Sequence, residues 1–225
     1  MADSRIEEED AIRQSMDRMY RYTRHVYDAS RKFFLLGRDR LVNELQAKSG
    51  EKVCEIGCGT GRNLLKCARS YPDAFFYGLD ASEEMLKSAD IQVKKYIRNY
   101  GGAISLAQGY AQNFSPDEKF GVANQFDKVF FSYSLSMIPP WQQSLDHALN
   151  LLKPGGKLYI VDFGEQEKLP QWFRFILFKF LDVFGVHYRP ELVNYIKTLD
   201  KKSAGKARVE SLFNGYTVFI TFEKF

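Results

Sequence analysis

Three glycines at alternate positions, Gly57, Gly59 and Gly61, follow a short apolar run, Lys52-Val53-Cys54-Glu55-Ile56. Inside that run Glu55 stands two residues before the first glycine. A second apolar run, Ala74 to Leu79, ends in Asp80, nineteen positions after Gly61. Glycines let the backbone turn sharply and come close to a ligand. An ionised carboxylate only accepts hydrogen bonds, so Asp80 at a strand end can grip two ribose hydroxyls at once. Dinucleotide-binding turns read G-x-G-x-x-G and leave a helix N-terminus free for pyrophosphate. Here the third glycine comes one residue early, Arg62 takes the sixth place, and Glu55 brings negative charge to the bend. That combination disfavours a pyrophosphate and suits a cationic nucleoside carrying an amino group.

On these residues the sequence resembles the class I S-adenosylmethionine-dependent methyltransferases, whose first motif is E/D-x-G-x-G-x-G. The resemblance implies S-adenosylmethionine as cofactor. It places Gly57, Cys58 and Gly59 along the amino-acid end, with Glu55 holding the loop and attracting the ammonium. Asp80 would hold the ribose, with Ala81 and Met85 against the adenine. After the third strand the family carries an acid followed by a small residue, but here Tyr110 stands in the acid's place. Ala111 and the Gln112 amide are then the expected adenine contacts, and Ser132 and Tyr133 fall at the mouth of the sheet, where the methyl group would emerge.

The segment Tyr20 to Leu41 is similar to the N-terminal part of the betaine-lipid methyltransferases, which N-methylate diacylglyceryl-homoserine. That likeness implies successive methylation of a lipid with a primary amine head group. Such an amine must lose its proton before attack. His25 and Tyr27 are the expected residues for accepting or orienting it, ahead of His147 and His187. Phosphatidylethanolamine N-methylation and quinone-type C-methylation are alternatives that use the same core. A non-catalytic scaffold has no need of an intact glycine motif with both acids.

The elements that must position these groups alternate. Residues 5–48 show helical spacing of Met16, Met19, Tyr20, Phe33, Phe34, Leu41, Val42 and Leu45. Strands are expected at 52–56, 74–79, 103–108, 127–133 and 157–163. Helices fall at about 62–70, from Ser82 to about 100, and from Pro139-Pro140 to about 152. Residues 170–200 read as an inserted helical segment, and Asn214-Gly215 joins two final strands. The expected fold is α/β: a doubly wound, seven-stranded methyltransferase sheet with a C-terminal antiparallel hairpin and N-terminal helices. It divides into a helical cap (1–50), a cofactor-binding core (51–164), the inserted segment (165–207) and the hairpin (208–225).

The 225 residues suit one domain of this kind, with 45% hydrophobic and 27% charged residues. With a net charge of only +4, nothing points to general nucleic-acid binding, and no nucleic-acid partner is expected. Cys54, Cys58 and Cys67 lack metal-ligand spacing, so no metal is expected, and three thiols fit a reducing compartment. The expected location is the cytoplasm or the inner face of a membrane, since no apolar run reaches the ~20 residues that span one. Trp172, Phe173, Phe175, Ile176, Phe178 and Leu181, interspersed with Arg174 and Lys179, suit a helix lying in a membrane interface, or a buried or lid helix. Oligomeric state is left open.

Overall fold

The computed structural model describes residues 34–123, 125–183, 186–201 and 204–225. His25, Tyr27 and most of the Tyr20-to-Leu41 segment lie outside the described residues. The strands are β1 (Lys52–Ile56), β2 (Phe75–Asp80), β3 (Ala103–Gln108), β4 (Phe126–Ser132), β5 (Leu152–Phe163), β6 (Gly205–Leu212) and β7 (Thr217–Lys224). They form a single sheet in the order β3-β2-β1-β4-β5-β7-β6, parallel except for the antiparallel pairs β5–β7 and β6–β7. The strand order reverses between β1 and β4, and α/β sheets bind ligands beyond the carboxyl ends of the strands at such a point.

The helices are α1 (Arg38–Leu45), α2 (Arg62–Ser70), α3 (Glu83–Tyr100), α4 (Pro116–Phe120), α5 (Trp141–Asn150), α6 (Gln171–Val183) and α7 (Glu191–Lys201). They cover both faces of the sheet. One core packs Leu41, Leu45, Leu64, Met85, Val93 and Leu177 against Val53, Phe130 and Val161. The other packs Phe114, Trp141, Leu145, Leu192 and Ile196 against Ile56, Phe131 and Ile160. With both faces covered, the inner strands have no polar side to show water, and every residue of β4 but Asp127 is buried.

Local signals explain the helix starts. Ser82 Oγ accepts the Met85 N–H at 3.3 Å, and Glu83 and Glu84 sit in the first turn of α3, where the helix dipole favours anions. The five-residue α4, capped by Ser115 with Pro116 behind it, is too short to show a period in the sequence.

Three details differ from the sequence expectation. The strand expected from Lys157 begins at Leu152, because Leu152 pairs with Phe126 before a register shift. Residues 170–200 form two helices, with Arg189 and Pro190 between them; proline disfavours helical backbone in the residue before it and starts helices readily. The hairpin turn is longer than Asn214-Gly215 alone: Phe213, Asn214 and Gly215 all have positive φ (52°, 57° and 85°). The Tyr216 hydroxyl then donates to the Phe34 carbonyl at 2.8 Å, tying the turn to the first described residues.

Candidate cofactor and acceptor cleft

β1 ends in a bend whose amides point back at β2: the N–H groups of Gly57 and Cys58 both donate to the Leu79 carbonyl, at 2.8 and 3.0 Å. Gly57, Gly59 and Gly61 all lie in the left-handed region, with φ of 77°, 54° and 75°, where a side chain is strained. One residue beyond Leu79, the Asp80 carboxylate accepts the Gly59 N–H at 2.7 Å and the Ser82 N–H at 2.9 Å. The acid that closes the second strand therefore also fixes the shape of the glycine bend.

The bend is one wall of a cleft that encloses about 690 Å³ of space, open solvent included. Asp80, Ala81 and the loop Gly109 to Gln112 continue that wall; Tyr133, Ser134 and Met137 to Pro140 form the other. Gln108 Nε2 donates to the Ala81 carbonyl at 3.1 Å, joining the ends of β2 and β3 beneath the cleft. Tyr133 takes φ 56°, which a bulky residue rarely adopts. It is held there by its own N–H, which donates to the Val161 carbonyl at 2.8 Å. Its hydroxyl lies 2.7 Å from the Leu36 carbonyl and 2.8 Å from Thr217 Oγ1, and burial pushes its pKa up. It lines the cleft as a neutral ring.

Seven of the expected contacts thus border the cleft: Gly57, Gly59, Asp80, Ala81, Ala111, Gln112 and Tyr133. Four do not. Glu55 is buried behind the bend, where its Oε1 accepts Asn63 Nδ2 at 2.7 Å and steadies the first turn of α2. The Cys58 side chain points into the sheet: a Cβ on Gly78 would lie 3.0 Å from its Sγ, so glycine at 78 makes room for the thiol. Burial raises the Cys58 thiol well above its usual range, with the Asp80 and Glu55 carboxylates adding to that effect. Met85 packs in the core with Leu64 and Val93. Ser132 is buried at the end of β4 and is not among the lining residues. Of the histidines, His147 Nε2 lies 2.7 Å from the Phe114 carbonyl on the outer layer, and His187 is exposed.

Met137, Ile138, Pro139 and Pro140 border the cleft without having been singled out as contacts, and the Ser134-to-Pro140 run could have been flagged only as an apolar loop after β4. The residues around the cleft fit S-adenosylmethionine. Among the described residues no lysine, arginine or histidine lines it, so a phosphate finds no counter-charge from them, and Asp80 offers acceptors for a diol. Among the described residues no cluster of His, Cys, Asp and Glu could hold a metal.

Comparison with known proteins agrees with this geometry. The description of a methyltransferase domain matches residues 47–204. A demethylmenaquinone methyltransferase of Listeria monocytogenes is 27% identical over 186 residues, 78% of this chain and 73% of the relative. A 2-phytyl-1,4-naphtoquinone methyltransferase of Nostoc punctiforme is 31% identical over 144 residues, 61% of this chain and 60% of the relative. Among solved structures, magnesium protoporphyrin IX methyltransferase of Synechocystis PCC 6803 shares the fold, with TM-score 0.60 and 18% identity over 84% of this chain and 82% of that one. A phosphoethanolamine N-methyltransferase of Haemonchus contortus does so with TM-score 0.70 and 17% identity over 95% of this chain and 60% of that one. With its match covering most of the sequence and its cleft built on the glycine bend and Asp80, the chain belongs to the methyltransferase domain family and is an S-adenosylmethionine-dependent methyltransferase.

Proposed function

We propose that this protein methylates a ring carbon of a quinol lipid, one of the naphthoquinol type carrying a long apolar tail. The observation that carries this reading is the chemistry of the acceptor wall. Tyr133, Met137, Ile138, Pro139 and Pro140 are apolar or aromatic, and Asp80, engaged by two backbone amides, is the only carboxylate among the described residues that line the cleft. A flat apolar ring suits such a wall, whereas a cationic amine head group meets no acid beyond Asp80 among the described residues there. The quinone names of the Listeria and Nostoc relatives support the same choice. N-methylation of diacylglyceryl-homoserine, the first expectation from residues 20–41, is set behind it, because the Listeria and Nostoc sequence relatives carry quinone names and the segment lies largely outside the described residues.

When bound, S-adenosylmethionine supplies an electrophilic methyl group to a nucleophile placed in line with it. The protein's part is to orient and to exclude water, and positioning two reactants contributes ~7–11 kcal/mol of a barrier. Asp80 and the Gly57–Gly59 backbone hold the donor side, and the Tyr133–Pro140 loop holds the ring against it. The quinol gives up a phenolic proton so that the ring carbon can attack. After the methyl group moves from sulfur to carbon, the hydrogen on that carbon leaves as a proton to restore the ring. His25 and Tyr27 remain the proposed residues for accepting or orienting the phenolic proton.

The proposal extends to the membrane. α6 buries Leu177 and Leu181 and exposes Trp172, Phe175 and Ile176, with Lys179 Nζ 5.0 Å from the centre of the Phe175 ring. An apolar stripe flanked by Arg174 and Lys179 matches an anionic bilayer surface, the source of a lipid acceptor. Among the described residues no helix is long and apolar enough to cross a membrane.

The test incubates the purified protein and labelled cofactor with a demethylated naphthoquinol, diacylglyceryl-homoserine or phosphatidylethanolamine. Label in the quinol alone is the expected result. Label in either amine lipid and none in the quinol overturns the proposal.

A further inference from the structure

The loop Tyr133 to Pro140, which forms the acceptor wall, is fastened from behind by three polar contacts. The Ser136 N–H donates to Asp162 Oδ2 at 3.1 Å. The Ser136 carbonyl accepts the His187 N–H at 2.9 Å. The Ile138 carbonyl accepts Arg189 Nη2 at 3.2 Å. Ser136 is therefore held at both its amide and its carbonyl, and the loop cannot shift without breaking bonds to β5 and to the segment before α7.

Asp162 is the penultimate residue of β5 and is buried, and its second oxygen accepts the Phe163 N–H at 2.8 Å. Side chains alternate along a strand, so Asp162 shares the face of Leu158 and Ile160, under the layer that holds Leu192 and Ile196. Arg189 is the cation that faces it, with the Ser136 hydroxyl beside it; Tyr133 lies within its field, and Glu191 faces Arg189 from α7. Neither Asp162 nor Arg189 borders the cleft. A carboxylate placed in this apolar layer is costly to bury, yet its hydrogen bond to Ser136 holds the loop proposed to meet the acceptor.

We infer that Asp162 is a positioning residue for methyl transfer, which together with Arg189 holds the Tyr133–Pro140 loop in the shape that presents Met137 and Ile138 to the acceptor. Its charge strengthens the Ser136 N–H bond, as charge-assisted bonds are the strong ones. The donor end of the cleft is fastened separately, through Asp80, Gly59 and Ser82. Loosening the loop therefore costs turnover and leaves the ribose end intact. Burial lifts the Asp162 carboxyl to about 6, against the pull of the Phe163 and Ser136 hydrogen bonds and of Arg189. Below that pH the carboxyl is protonated and the bond to Ser136 loses its ionic strength. This inference holds for any lipid acceptor that fills the cleft.

The test compares wild type, Asp162→Asn and Arg189→Met over about pH 5 to 9. Methyl transfer is followed with whichever lipid the protein methylates, S-adenosylhomocysteine affinity by calorimetry, and the Asp162 carboxyl by carbon NMR. Wild type is expected to show an acid limb in kcat that follows the NMR titration of Asp162. Asp162→Asn should lose that limb and about tenfold in kcat at pH 8, with S-adenosylhomocysteine affinity within about twofold. Arg189→Met should move both the limb and the NMR titration to higher pH, because a stabilising cation is gone. An Asp162→Asn enzyme with wild-type kcat and an unchanged limb overturns the inference, as does an affinity loss equal to the loss in kcat. If Asp162→Asn does not fold, the Arg189→Met profile decides, and a limb that fails to track the NMR titration overturns the inference.

Discussion

Ser134 stands where a side chain on Gly57 would go: a Cβ built on Gly57 would lie 2.4 Å from Ser134 Cβ. Ser134 is itself fixed, its hydroxyl donating to the Ile56 carbonyl at 2.8 Å. The first glycine of the bend is thus required twice, by φ 77° and by the loop after β4. Gly57→Ala should force donor wall and acceptor wall apart. The expected outcome is a stability loss of at least about 1 kcal/mol from the left-handed backbone alone and a larger loss of S-adenosylhomocysteine affinity, read by thermal unfolding with and without ligand. Wild-type affinity in the alanine variant would show that the cleft tolerates the shift.

Asp80 joins the bend to the start of α3 through the Gly59 and Ser82 amides. Asp80→Ala removes a charged acceptor from both amides and from its proposed partner, the cofactor diol. Calorimetry should show cofactor affinity weakened by about 1.5–3 kcal/mol or more, the worth of a hydrogen bond to a charged group. Unchanged affinity would remove the ribose role.

The hydroxyl of Tyr133 reaches both the Leu36 carbonyl and Thr217 Oγ1. Tyr133→Phe keeps the ring in the cleft and leaves those two partners without it. A destabilisation of about 1–3 kcal/mol is expected in denaturant melts, the cost of orphaning buried polar groups, with cofactor affinity nearly retained. A fall in affinity larger than the fall in stability would mean that the hydroxyl acts on the ligand.

Asp162 also sets a pH dependence of folding. Its carboxyl is raised from 3.8 to about 6 by burial. A raised value means the folded state binds the proton more tightly than the unfolded state does. The stabilisation is therefore full below about pH 3.8 and is lost as pH rises through about 6. A shift of about two units corresponds to roughly 3 kcal/mol. Measured against Asp162→Asn, wild type should lose relative stability between about pH 4 and pH 7, and a constant difference over that window would contradict the raised value.

Replacing Trp172, Phe175 and Ile176 with serine removes the exposed stripe of α6 without touching Leu177 or Leu181. Sedimentation with anionic vesicles should fall several-fold while S-adenosylhomocysteine affinity holds, since apolar area drives interfacial binding. Undiminished sedimentation would place the membrane contact elsewhere.

Short-range chemistry made much of this molecule readable. β1 at 52–56 and α2 at 62–70 fall where their residues put them, because a β-branched and apolar run followed by clustered glycines permits little else. The Ser82-Glu83-Glu84 start of α3 is a local capping signal and needs no tertiary partner. Harder to read were β5, whose first residues are in the sheet only because Phe126 pairs with Leu152, and α4, which is barely one turn long.

What residue order alone determined was the alternation of strands and helices, the closing hairpin, and the glycine bend with its distant acid, because backbone freedom, apolar period and charge are properties of neighbours. Which side chains reach the cleft was decided by packing. Glu55 and Cys58 sit in the motif yet face away, since Asn63 of α2 pairs with the first and Gly78 of β2 leaves room for the second. Asp162 carries no sequence mark at all. It matters because the fold brings Ser136 and Arg189 against it across 26 and 27 residues, and only a closed three-dimensional contact can make a buried carboxylate hold a loop.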